Sequence, residues 1–206
     1  EATRQSASLE DGEVIRRVRA GETALFEVLM RRHDQRVYRT VRAILRDEDE
    51  VEDAMQQAWI QAYLHLGEFE GTAAFSTWLV RISANEALAR LRRRSRLVPM
   101  TEAMQEETMD ATSEGPEERV AAREAVHLVE CAVDKLPAPY RTVFMLREVE
   151  GLSTRDTATA LGIGEDATKV RLHRARAMLR RSLSELAERA APEAFPFLAP
   201  RCNRMV

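Results

Sequence analysis

Apolar residues recur at steps of three and four along most of this chain. Val14, Ile15 and Val18 come first, then Gly21. Leu25, Phe26, Leu29 and Met30 follow, and then Val37, Tyr38, Val41, Ile44 and Leu45. Such spacing puts the apolar side chains on one face of a helix. Val51, Ala54, Met55, Ala58, Trp59, Ala62 and Leu66 predict a third helix that stops near Gly67. After a short loop at 68–74, Phe75, Trp78, Leu79, Ile82, Ala87, Leu88 and Leu91 predict a fourth. The pattern predicts a helical N-terminal domain over residues 13–98, preceded by a disordered terminus at 1–12.

The pattern then stops. Between 99 and 118 the charged residues are Glu102, Glu106, Glu107, Asp110, Glu114, Glu117 and Glu118, with no Lys or Arg, and Ser113, Gly115 and Pro116 break any period. This stretch reads as a flexible acidic linker. A second helical domain is expected over 119–188. Its first helix carries Val120, Ala125, Val126, Leu128, Val129, Ala132, Val133 and Leu136, and Pro137 and Pro139 separate it from a helix with Val143, Phe144, Leu146 and Val149. Gly151 turns the chain. Ser153 is placed to cap a short helix with Asp156 three residues on. Gly162 suits a left-handed C-terminal position. A long helix from about Glu165 to Glu188 follows. The tail, 189–206, holds Phe195, Phe197 and two further prolines beyond Pro192, and fits a docking segment or a flexible arm. The fold class expected is all-α: two small helical domains joined by a flexible acidic linker.

The composition agrees, because aromatics are only 5% of the 206 residues and Val/Ile/Thr-rich alternation is absent. Net charge is −3, but its distribution is uneven. The unit from Ser153 to Leu183 is a short helix, a tight Gly turn and a longer basic helix, which is the pattern of a helix-turn-helix. The longer helix carries Lys169, Arg171, His173, Arg174, Arg176, Arg180 and Arg181. A solvated basic face would explain the charge alone; the Leu161-Gly162-Ile163 turn favours a helix that enters a DNA groove. A second basic patch, Arg81, Arg90, Arg92, Arg93, Arg94 and Arg96, closes the first domain beside Phe75, Trp78 and Asn85. Cations beside aromatics suit unstacked bases and phosphates. A third surface, Asp47 to Glu70, has eight acids and no Lys or Arg. It repels DNA, and its polar stripe Asp53, Gln56, Gln57 and Gln61 suits a protein partner or a solvated face.

No P-loop, Gly-rich nucleotide loop, nucleophile elbow or His/Glu metal motif is found, so an enzyme is not expected, and no catalytic residue, metal or cofactor is assigned. Cys131 and Cys202 make no disulfide framework. With His127 they could form a sensor, although a buried thiol is the commoner case. No apolar run approaches a membrane span, so a cytoplasmic protein is expected.

Two motif sets meet a known family. Val51-Glu-Asp-Ala-Met-Gln-Gln-Ala-Trp59, Phe69-Glu-Gly71 and Phe75-Ser-Thr-Trp-Leu-Val-Arg-Ile82 with Asn85 and Arg92 to Arg94 resemble region 2 of extracytoplasmic-function (ECF) sigma factors. Leu136-Pro137, Tyr140-Arg-Thr-Val-Phe144, Gly151-Leu-Ser153 and Lys169-Val-Arg-Leu-His-Arg-Ala-Arg176 resemble region 4. The resemblance implies an alternative sigma factor that directs promoter-specific initiation. Asp53, Gln56, Gln57 and Trp59 would dock on the β′ clamp helices of core RNA polymerase, with the β flap as a second contact. Gly71, Phe75, Ser76, Thr77, Trp78 and Asn85 would capture a flipped base of the minus-ten element, and Arg90, Arg92, Arg93 and Arg94 would hold its backbone. Lys169, Val170, Arg171, His173, Arg174 and Arg176 would face the minus-thirty-five element. The acidic linker would lie in the polymerase's RNA path. An anti-sigma factor is implied as a further partner; no small-molecule substrate is. Two departures stand out: Glu165-Asp-Ala-Thr168 opens the recognition helix with two acids, and Val170 replaces a small polar residue. The competing reading is a stand-alone helix-turn-helix regulator, which leaves the second basic patch and the linker without a task.

Overall fold

A computed structural model describes residues 9–97 and 127–194, and all regular structure among them is helical. Of the terminus expected to be disordered over 1–12, residues 1–8 lie outside the described residues, as do the acidic linker and the tail past Ala194 with Cys202, whereas Asp11 and Gly12 already belong to the first helix. The first domain is built from α1 (Asp11–Arg19), α2 (Phe26–Arg42), α3 (Glu48–Leu64) and α4 (Phe75–Leu97). Asp47 caps α3, its carboxylate accepting from the Glu50 N–H at 3.1 Å, and Glu48, Asp49 and Glu50 load the first turn with negative charge. Both effects favour a helix N-terminus. Ala54, Ala58 and Ala62 repeat every four residues on the buried side of α3. Their small side chains let α2 and α4 close over a core of Val14, Leu29, Val37, Val41, Val51 and Leu79, none of them exposed.

The second domain is built from α5 (residues 127–134), α6 (Ala138–Phe144), α7 (Thr154–Leu161) and α8 (Glu165–Ala194). Ala132, Val133 and Leu136 pack on Ala175 and Leu179 of α8. α8 continues to Ala194, past the end expected at 188. Between α6 and α7 the chain winds as a π turn, Met145–Val149, rather than an α-helix. The Glu150 N–H reaches five residues back to the Met145 carbonyl at 2.9 Å, and Gly151 takes a left-handed φ of 72°. That geometry turns Glu150 inward.

The two domains pack directly on each other. Val80 of α4 joins Val143, Leu146, Leu152, Leu161 and Leu172 in one apolar cluster. Glu150 has no exposed side-chain surface and sits 2.8 Å from the Arg36 Nε and 2.7 Å from the Arg39 Nε, both on α2. Arg141 is 2% exposed. Its Nε donates to the Ala43 carbonyl at 2.9 Å, where Thr142 Oγ1 also donates at 3.2 Å. Ala43 is the C-terminal cap of α2, so a cation from the second domain satisfies an end carbonyl of the first. Burial pushes the Arg141 pKa down to about 10, and nearby Arg46 adds to this while Asp134 opposes it. The guanidinium therefore remains charged at neutral pH.

Candidate nucleic-acid and protein-docking surfaces

The loop between α3 and α4 forms a small pocket. Arg19 of α1 donates to the carbonyls of Leu66, Gly67 and Phe69, which fixes the loop from below. Gly71, at φ 72°, turns the chain toward α4. Phe69, Phe75 and Trp78 then stack as a cluster with ring centroids 5.5–5.7 Å apart. The resulting pocket, about 190 Å³, is lined by Glu68, Phe69, Glu70, Thr72, Ala73, Thr77, Trp78 and Arg81. Of the residues expected here, Thr77 and Trp78 line it. Phe75 is 3% exposed and forms the floor beneath, within the core. Ser76 is half-buried, and Asn85 lies exposed farther along α4. Arg81, expected in the second basic patch, lines the pocket too, and Phe69 joins it although the sequence singled it out only as part of a motif.

The basic end of α4 is partly tied down. Arg90 bonds Glu86 at 3.0 Å and lies 3.4 Å from the Asp53 carboxylate, while Arg94 lies 3.5 Å from Glu50. Arg92 and Arg93 are exposed on the same helix end. Asp53, expected to face a protein, is largely exposed and lies beside Arg90.

The helix-turn-helix folds as its sequence dictates. The Ser153 hydroxyl accepts from the Asp156 N–H at 3.0 Å and starts α7. Gly162 ends it at φ 64°, with the Ile163 N–H bonded to the Ala158 carbonyl at 3.0 Å. This is a Schellman closure, which needs a residue tolerant of positive φ. Thr168, Leu172, Ala175 and Leu179 are buried, which fixes the rotation of α8. Lys169, Val170, His173, Arg174 and Arg176 consequently point outward, and Arg171 is half-buried. Lys169 bonds Asp166 at 3.1 Å, Arg174 lies 3.4 Å from the Tyr140 hydroxyl, and Arg176 pairs with Glu148 at 2.7 Å. The cations are pre-positioned yet exposed, which suits phosphate and base-edge contact.

α2 and α3 also leave an open groove of about 640 Å³. Phe26, Met30, Met55, Trp59, Ile60, Tyr63 and Leu64 line it, with Asp34, Glu52 and Gln56 at its edge. Gln56 and Trp59 of the expected docking residues border this groove; Asp53 and the half-buried Gln57 do not line it. Ile60, Tyr63 and Leu64 are 52%, 42% and 66% exposed, a large apolar display for a free surface. Their signal was present: apolar residues occupy more of α3 than one core stripe requires. No cluster of His, Cys, Asp and Glu among the described residues could hold a metal, and no described helix is long and apolar enough to cross a membrane.

Comparison with known proteins accounts for both halves. Residues 29–97 match the Sigma-70 region 2 family model and residues 127–179 match Sigma-70 region 4. The RNA polymerase sigma-H factor of Pseudomonas aeruginosa is 31% identical over 188 residues, covering 88% of this chain and 97% of that protein. The ECF RNA polymerase sigma factor SigM of Mycobacterium tuberculosis is 34% identical over 177 residues, covering 85% and 86%. Among solved structures, CnrH in complex with the cytosolic domain of CnrY superposes with a TM-score of 0.54 at 26% identity, covering 85% of this chain and 97% of that one. RpoE in complex with the anti-sigma factor NepR, from Bartonella quintana, gives a TM-score of 0.60 at 22% identity over 77% of this chain and 96% of that one, a likeness of fold. With region 2 matched in one half, region 4 in the other and an ECF sigma factor 34% identical over 85% of this sequence, the chain belongs to the extracytoplasmic-function branch of the sigma-70 family.

Proposed function

We propose that this sigma factor recruits core RNA polymerase to promoters through three surfaces with separate tasks. The helix-turn-helix reads the minus-thirty-five element: α8 enters the major groove, with Val170, His173 and Arg174 toward base edges and Lys169, Arg171 and Arg176 toward the backbone. The pocket between Phe69 and Trp78 takes a base flipped from the minus-ten element. Trp78 supplies the stacking wall, Thr77 polar contact and Arg81 a cation at the rim, contacts that offset the few kcal/mol needed to extrude a base. Asn85, Arg90 and Arg92 to Arg94 continue that surface along the strand. The groove beside Trp59, edged by Gln56, with exposed Asp53 farther along α3, receives a helical element of core polymerase such as the β′ clamp helices. An anti-sigma factor competing for the same groove would hold the chain inactive.

One observation carries this reading: a base-sized aromatic pocket and a pre-positioned helix-turn-helix occur on one chain beside an exposed apolar groove. A stand-alone regulator needs only the helix. Run-off transcription tests the proposal. Core polymerase plus this chain should start at discrete promoters selected from a genomic library, and core alone should not. Binding of the chain alone to those promoters with equal strength and specificity would favour the stand-alone regulator.

A further inference from the structure

The loop that carries one wall of the base pocket has little of its own to hold it. Gly67, Glu68 and residues 70–74 are exposed, and Phe69 is half-buried. Among the described residues, no backbone N–H from 70 to 74 finds a backbone acceptor. The last turn of α3 holds no Lys or Arg, and neither does the whole stretch 47–70. His65 pairs with the Glu68 carboxylate at 2.9 Å. The carbonyls that follow α3 therefore lack a local cation.

Arg19 supplies one from α1, 47 to 50 residues away. Its Nε donates to the Leu66 carbonyl at 3.0 Å, and its Nη2 reaches the carbonyls of Leu66, Gly67 and Phe69, the last at 2.5 Å. A planar fork that gathers three carbonyls fixes the backbone on both sides of Glu68. It thereby sets the ring of Phe69 against Phe75 and Trp78. The helix that delivers Arg19 is itself anchored. Val14, Ile15 and Val18 are buried, and at the other end of α1 the Asp11 Oδ2 lies 2.8 Å from His33 Nε2 on α2. The His33 ring in turn meets Phe75, with centroids 5.4 Å apart. α1 thus supports the loop through Arg19 and the pocket floor through His33, while no residue of α1 lines the pocket.

We infer that Arg19 is a positioning residue for base capture: it holds Phe69 against Trp78 so that the pocket is formed before the strand arrives. The inference rests on the pocket reading above. Without the clamp, the loop has to be ordered as the base enters, and that cost is subtracted from the stacking gain. Loss of Arg19 should therefore weaken only the part of strand binding that comes from the captured base. A residue serving stability alone would single out no base. A direct phosphate contact, the other use of an exposed arginine, would act whatever the base.

The test uses holoenzyme assembled from core polymerase and the full chain, with Arg19→Ala and the milder Arg19→Gln. Circular dichroism and thermal melts should show both folded, because the side chain is exposed; if neither folds, Arg19 is a stability residue and the inference falls. The probe is the single strand of the minus-ten element from a promoter that the parent starts, with an abasic site moved along it one position at a time and binding read by anisotropy. In the parent, one position should stand out, with binding about fivefold weaker when its base is missing, the low end of stacking on an aromatic face. The variants should bind the intact strand about as weakly as the parent binds that abasic strand, and should bind the abasic strand and a minus-thirty-five duplex as the parent does. In a Trp78→Ala background, Arg19→Ala should cost nothing further. Equal losses on intact and abasic strands, or a salt slope lower by about 1, overturn the inference. So does full affinity of the variants for the intact strand. A parent that binds every abasic strand as well as the intact one refutes the pocket reading itself; a discriminating parent beside equally discriminating variants refutes the role of Arg19 alone.

Discussion

Arg90 and Asp53 face each other across α4 and α3: Arg90 Nη1 lies 3.4 Å from the Asp53 carboxylate, and Nη2 donates to the Asp53 carbonyl at 3.2 Å. A residue proposed for DNA and one proposed for polymerase are thus partners in the free chain. Asp53 is 68% exposed at the side chain, and exposed pairs contribute only about 0–1 kcal/mol. Asp53→Arg should leave the chain folded and weaken core binding about tenfold, as read by anisotropy titration. Unchanged affinity would move the docking surface away from α3.

Trp78 and Phe75 lie 5.6 Å apart and separate function from stability. Trp78→Ala removes the stacking wall, and base stacking is worth about 1–3 kcal/mol, a five- to hundredfold loss of open complex. Binding to a minus-thirty-five duplex should not change. Phe75→Ala instead empties a core site, at a cost of about 3–5 kcal/mol in unfolding free energy. Thermal melts and permanganate footprinting distinguish the two.

Arg174 is exposed on α8 and oriented by the Tyr140 hydroxyl. Arg174→Ala should abolish promoter-specific transcription while leaving core affinity intact in a pull-down. Because Arg174 faces base edges, its loss should cost about 1–3 kcal/mol of binding and relax the base preference at one position, whereas loss of Lys169 should lower the slope of affinity against log salt by about 1. Loss of core binding would contradict the division of labour.

Val170 is 50% exposed on the same face. A branched apolar side chain in the major groove meets the thymine methyl group. Replacing thymine by uracil at one minus-thirty-five position should weaken binding of the parent holoenzyme severalfold and leave Val170→Ala indifferent. Equal losses in both proteins would place Val170 off the bases.

The helices were legible in the sequence because local signals repeat. The alanines at 54, 58 and 62, the Ser153 cap and Gly162 each act within one or two turns of themselves. The recognition helix was legible too, since burial of Leu172 and Ala175 decides which cations point out. Glu150 and Arg141 were not. They look like ordinary surface charges, and their partners lie 111 and 98 residues away, beyond any periodicity. The π turn was hidden too: Met145 to Val149 has good helix formers, and no local signal in them marks the wider winding. Phe69 and Arg81 needed the fold of the loop to bring them to one pocket.

The groove beside Trp59 has a consequence for the free protein in solution. Ile60, Tyr63 and Leu64 offer wet, greasy surface to any second molecule that carries the same patch. Left uncovered, that patch should drive self-association of the purified chain as its concentration rises, a growth in particle size that light scattering reads.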